Sequence, residues 1–290
     1  MNSSSAFNII YNNTENNDLK KIIHSQYIED SWAHGISDLN KIIKTKTLLE
    51  YDRIAGYIFL GRGLSLNYSY RDSLWAFEKG IDLLLSKSIN KKHERVLKAF
   101  SFHNFAVALG YMGRKNDARL KNYIFDASEI YQSQELDNDL IELKVQLMDV
   151  ELYYIDEIDL HEFIKNCNDL NQYCKRKNLN DNGLPLRVAV ASLFKFIKTK
   201  RQHYYKISSD SFESIIKEGK NTYRSYWAKC GLTVLRSLNN EKIDYKLLEN
   251  SPGGYLAKSK RFPHILFIII RVYRLLGKES RVNKILLETE

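Results

Sequence analysis

The passage from Tyr51 to Lys87 constrains the fold more than any other part of this 290-residue chain. Its first half, YDRIAGYIFLGRGLSLN, sets Ile54, Tyr57, Ile58, Leu60, Gly61 and Leu64 at helical intervals. Its second half, RDSLWAFEKGIDLLL, sets Leu74, Phe77, Ile81 and Leu84 on the face of another helix. The polar break between them, Asn67 to Tyr70, is so short that the two helices must return antiparallel, as a hairpin. Gly61, Ser73 and Gly80 put small residues where two helix backbones would approach closely. A glycine inside a helix costs roughly 1 kcal/mol relative to alanine, and close packing is the expected compensation. With 3 prolines and 13 glycines, the chain holds little of the material an all-β protein needs for turns. Long helices with short connections are therefore expected throughout.

The same rhythm recurs along the chain. Asp18 is placed to cap a helix carrying Leu19, Ile22, Ile23 and Tyr27, and Ser37 to Lys46 carries Leu39, Ile42 and Ile43. Leu140, Leu143, Leu147, Val150 and Tyr154 form one later apolar face; Phe163, Ile164, Cys167, Leu170 and Cys174 form another. Further helices are expected over 186–200, 208–219 and 222–238. Pro263 opens a last apolar helix that Gly277 ends. Residues 1–17, rich in Asn and Ser, are expected to be disordered or frayed. The stretch NLNDNGLP, 178–185, is the expected linker, with SPGG at 251–254 as a second break. The expected organisation is a helical-repeat body over 18–180 and a basic helical part over 186–290.

The hairpin at 51–87 resembles a tetratricopeptide repeat. Tyr57, Leu60, Gly61, Leu64, Tyr70, Ser73, Phe77 and Gly80 fill that family's alternating large and small positions in order. Ser73 and Gly80 stand where the family has alanine, and Leu85 stands where it has a closing proline. A weaker copy begins near Ala99, with Phe102, Phe105, Ala106, Leu109, Gly113 and Ala118; beyond that Asn122 and Phe125 leave the pattern, and Ala127 comes two residues late. Elongated, divergent repeats of this sort are similar to those of the intracellular peptide-pheromone receptors of Gram-positive bacteria and their phages. The resemblance implies an all-α fold, an α-α superhelix of stacked helical hairpins. It implies a concave groove for a peptide or partner protein, lined by the first helix of each pair. Arg62 and Ser65 in the first repeat, and His103 and Val107 in the second, would then face inward. Arg62 could clamp a carboxylate through two parallel hydrogen bonds, or could equally be a solvated charge on an exposed helix face. The helix-turn-helix domain that many such receptors carry has no counterpart in this sequence.

Little in the sequence points to catalysis. Cys167 and Cys174 share a helix face, but no histidine lies at ligand spacing beside them except His161, and two residues between cysteines is the commoner zinc spacing. Asp139, Glu142 and Lys144 have the order of a nuclease motif, yet that motif needs strands and this stretch reads as helix. GRGLS at 61–65 lies inside a helix with no preceding strand, so it is no phosphate loop. No cofactor and no metal is expected. Three cysteines make no disulfide framework, residues 1–20 hold no apolar leader, and the longest apolar run, Ile265 to Ile270, is too short for a membrane span. A cytoplasmic protein with no membrane partner is expected.

The net charge of +9 is uneven, because residues 187–290 hold 21 Lys and Arg against 9 Asp and Glu. Within that third, TKRQHYYK (199–206), NTYRSYWAK (221–229) and AKSKRF (257–262) interleave cations with aromatic rings. Such a mixture can hold phosphates while stacking on bases, or can be amphipathic helices with their rings in the core. The expected function is therefore a non-enzymatic, regulatory binding protein for a peptide or partner protein. The alternative is a nucleic-acid-associated protein that uses residues 187–290.

Overall fold

The computed structural model describes residues 5–27, 35–86, 92–114, 116–218, 222–248, 252, 254–259 and 262–287. Residues 1–4 of the segment expected to fray, and Asn221, Ser251, Gly253, Lys260 and Arg261 of the stretches singled out above, lie outside these. The described residues contain helices and no strand. The chain divides into two compact units, Met1–Val150 and Glu151–Glu290.

The first unit holds α1 (Ala6–Asn13), α2 (Asn17–Tyr27), α3 (Ile36–Ile42), α4 (Glu50–Leu66), α5 (Tyr70–Leu85), α6 (Lys92–Tyr111), α7 (Ala118–Ser133) and most of α8 (Asp137–Tyr153). Helices α4 and α5 form the predicted hairpin. The turn between them closes through Tyr68, whose φ of 64° is left-handed, and through a bond from the Ser69 N–H to the Leu64 carbonyl. The small residues sit where the backbones meet. A Cβ added to Gly61 would lie 2.8 Å from the Phe77 ring, and one added to Gly80 would lie 2.8 Å from Ile58 Cδ1. Ser73 Oγ donates to the Gly61 carbonyl at 2.8 Å across the same crossing. Helices α6 and α7 pair likewise, with Tyr123 stacked on Phe102 at 4.2 Å. Here the register slip has its reason: Ala127 is fully buried, whereas Phe125 points outward.

The second unit holds α9 (Leu160–Lys177), α10 (Leu184–Thr199), α11 (Gln202–Lys217), α12 (Tyr223–Leu238), a 3-10 turn (Tyr245–Leu248), α13 (Tyr255–Ser259), α14 (Pro263–Leu275) and α15 (Glu279–Leu287). Successive helices α9 to α12 pack on one another, α14 packs on α12, and α15 on α14. Ser208 Oγ donates to the Ala189 carbonyl, joining α11 to α10, and Phe212 lies on Gly231 of α12.

Two expectations about organisation differ from this arrangement. Of the stretch 178–185, residues 178–183 are a tight turn inside the second unit and 184–185 open α10, because Asn178, Asn182 and Gly183 take left-handed φ and return the chain so that α10 packs on α9. The division between units falls instead after Val150. The segment expected to fray forms α1 in its described part, with Ala6, Phe7 and Ile10 buried. Its sequence looks weak because its partner face is supplied by helices far along the chain. Helix α11 also begins at Gln202, six residues before the expected 208: Arg201 is its extended N-cap and the polar run QHYY already turns as helix.

Candidate functional site

Among the described residues of α4 to α8, every buried side chain bearing a charge, an amide or an imidazole lies on α4, α6 or α8. These are Asp52 and Arg62, His103 and Asn104, and Asp139 and Asp149. Helices α5 and α7 bury only hydroxyls, those of Ser73 and Tyr131. Burying such groups is costly unless they find partners, so their segregation marks one side of the stack as chemically distinct.

At the centre is Arg62, only 8% exposed, and so not the solvated surface charge that a helical Arg usually is. Its Nη1 donates to Asn104 Oδ1 at 2.7 Å, and its guanidinium lies 5.8 Å from the centre of the Phe100 ring. Asn104 is oriented in turn by donating to the Phe100 carbonyl at 2.8 Å. One residue away, His103 Nδ1 lies 3.3 Å from the Tyr131 hydroxyl and Nε2 lies 3.2 Å from Gln146 Oε1. Gln146 is held by its own donation to Glu142 at 2.8 Å. Burial, and then the Arg62 charge, push the His103 pKa down to about 3, so the ring is neutral at pH 7. The structure thus joins Arg62 and His103 in one electrostatic group. Ser65, half-buried, is one turn further along α4, and Val107, buried, is one turn along α6; both lie outside the hydrogen-bonded group.

Two buried aspartates on the same helices hold the N-terminal segment. Both carboxylate oxygens of Asp139, at 3.2 and 3.1 Å, accept from the backbone N–H of Ala6, which opens α1. Asp52 accepts from Glu15 and Asn16, the shortest contact being 2.7 Å, where α2 begins. Each therefore acts as a helix cap supplied from a distant part of the chain. Burial pushes the Asp139 pKa up to about 7, against the pull of the Ala6 N–H. Phe7 of α1 meets Phe59 of α4 edge-on at 6.4 Å, and Phe59 lies 5.6 Å from Phe100. Sequence reasoning missed Asn104, Gln146 and the capping role of Asp139. The available signal was an amide or acid inside an otherwise apolar helix face.

In the second unit the basic stretches turn their large rings inward. Tyr204, Tyr226 and Trp227 are buried, and Trp227 Nε1 donates to Ser259 Oγ at 2.9 Å. The three cysteines are buried, and burial pushes the Cys230 thiol up to about 12, far from a reactive thiolate. His264 is buried beside the Arg187 charge and is held down to about 3. No group of three or more His, Cys, Asp or Glu among the described residues is arranged to hold a metal ion, and no described helix is long and apolar enough to cross a membrane.

No protein-family model matches this chain, and no curated protein matches it. Among solved structures it is similar to NprR in complex with its cognate peptide NprX. That likeness has a TM-score of 0.58, covers 93% of this chain and 74% of that one, and comes at 12% sequence identity. At such an identity the likeness is one of fold: this chain has an all-helical, stacked-hairpin architecture that it shares with NprR.

Proposed function

We propose that this chain is a cytoplasmic, regulatory binding protein. It takes a short peptide, or an extended segment of a partner protein, on the face formed by α4, α6 and α8, and it acts by binding rather than by catalysis. The observation that carries the reading is the fold likeness to a helical protein solved with its cognate peptide. The confinement of buried charge and amide to the first helices of the hairpins supports it, because stacking alone needs only apolar and small residues there. Arg62 and Ser65 on α4, and His103 and Val107 on α6, are the side chains assigned to the ligand. A ligand carboxylate would replace the neutral amide oxygen of Asn104 at the guanidinium, giving a stronger, charge-assisted contact.

The test is affinity capture from the native host with the whole chain and with Arg62→Gln, which keeps a polar side chain but removes the guanidinium and its charge. Captured material is analysed for peptides, proteins and nucleic acid, and any peptide found is then titrated by calorimetry. A peptide held at least tenfold more weakly by Arg62→Gln, with the variant still folded and melting cooperatively, is the expected result. Recovery of nucleic acid alone, sensitive to nuclease and to salt, would overturn the reading.

A further inference from the structure

The N-terminal helix occupies the face to which the ligand is assigned. Helix α1 packs on α6, reaches α4 through Phe7 and Phe59, and reaches α8 through the Asp139 contacts on Ala6. A segment that touches three first helices at once lies across the side of the stack that those helices share. Its hold rests on one short face, with Ile9 and Tyr11 partly buried beside it. Helix α1 has eight residues and buries Ala6, Phe7 and Ile10, while Asn12 and Asn13 are exposed. Isolated helices below about 12 residues are marginal in water, and ordering each residue costs roughly 1–2 kcal/mol, so docking is close to balanced. The chain beyond it is held separately, by Asp52 at Glu15 and Asn16. Beneath Phe7 lie Phe59 and Phe100, with the Arg62 guanidinium over Phe100.

Building on the peptide-binding reading, we propose that residues 6–13 are a tethered stand-in for the ligand. They cover the α4–α6–α8 face until a short amphipathic peptide displaces them, one with an aromatic residue followed three positions later by an aliphatic one, as in Phe7 and Ile10. The tether gives α1 an effective concentration of about millimolar order, so a free peptide of equal intrinsic affinity competes poorly with it.

The probe is a fluorescent peptide of residues 5–17, titrated by anisotropy into the full chain and into the double variant Phe7→Asp/Ile10→Asp. The variant is expected to keep its helical circular dichroism and cooperative melt and to bind the probe at least tenfold more tightly than the wild type. A variant that loses its fold, making α1 part of the core, would overturn the proposal; so would a folded variant that binds no better. Hydrogen exchange on the unaltered chain gives a second arm. The α1 amides are expected to exchange at least tenfold faster than those of α6, and equal protection would refute a displaceable helix. If a host peptide binds in an Arg62-dependent way while α1 protection stays unchanged, the peptide reading stands and this proposal fails. If the probe binds the double variant but the host yields no peptide, the reverse holds.

Discussion

Replacing Asp139 by asparagine should change how the stability of the first unit depends on pH while leaving its structure nearly intact. An asparagine Oδ1 can still accept from the Ala6 N–H, so the cap on α1 survives. What disappears is a proton. In the folded unit Asp139 titrates at about 7, and its ordinary value is 3.8. Between those values the folded form holds a proton that the unfolded chain has lost. The group's contribution is therefore fully present below about pH 4 and is lost as the pH rises through 7. One such proton tilts stability by about 1.4 kcal/mol for each pH step, and the whole interval corresponds to roughly 4 kcal/mol.

His103 works in the opposite sense, because its pKa falls from 6.5 to about 3 on folding. Its contribution is present above pH 6.5 and is lost as the pH drops toward 3. From about pH 4 to 6.5 the two protons offset one another in the wild-type unit. With Asp139→Asn only the histidine remains, and stability should fall by about 1.4 kcal/mol for each step down in pH. Native-state hydrogen exchange at Phe59, Phe105 and Leu109, read from pH 4.5 to 6.5, measures this in the first unit alone. Every other titrating group is common to both proteins and drops out of the difference. Parallel curves for the two proteins would refute the assignment of a buried, protonated Asp139.

The other expectations concern packing and hydrogen bonds. Gly231→Ala puts a Cβ 2.2 Å from Phe212 Cζ and should cost about 1–3 kcal/mol, seen as a lower melting temperature. Ser73→Ala removes the buried hydroxyl bond to the Gly61 carbonyl and should cost about 1 kcal/mol in urea denaturation. Asn104→Ala takes the acceptor from Arg62 Nη1 and should cost about 1–3 kcal/mol by the same assay. A loss confined to ligand affinity, with stability unchanged, would instead show that the pair does not support the fold.

The hairpin at 51–85 was legible because its information is local. Gly61, Ser73 and Gly80 are small for a reason that adjacent residues supply, namely Phe77, Ile58 and the Gly61 carbonyl. The second hairpin was legible up to the point where Ala127 replaces Phe125 as the packing residue, a shift of two positions that only the partner helix reveals. Helix α1 was not legible at all. AFNIIYNN is only eight residues long, too short to declare a helical period by itself, and the carboxylate that caps it lies 133 residues away. Reading Asp139 beside Glu142 and Lys144 compared it with its sequence neighbours, whereas its partner is the backbone of Ala6. Arg62 was found by its repeat position, but its burial depends on Asn104 and Phe100, one repeat further on.

These failures share a cause that bears on function. Apolar and small residues at helical spacing determine which helices pair, and that pattern repeats along the chain, so it can be read locally. The buried polar residues on α4, α6 and α8 do not repeat: Arg62 meets an amide, His103 a hydroxyl and an amide, and Asp139 a backbone N–H. A stack of hairpins would close as well with apolar side chains at those positions, and replacing buried polar groups by well-packed apolar ones is often neutral or stabilising. Their presence therefore points away from stacking and toward recognition. On the proposed reading they set which segment the first helices accept, with the chain's own N-terminal helix, held by Asp139 at Ala6, as the resident one.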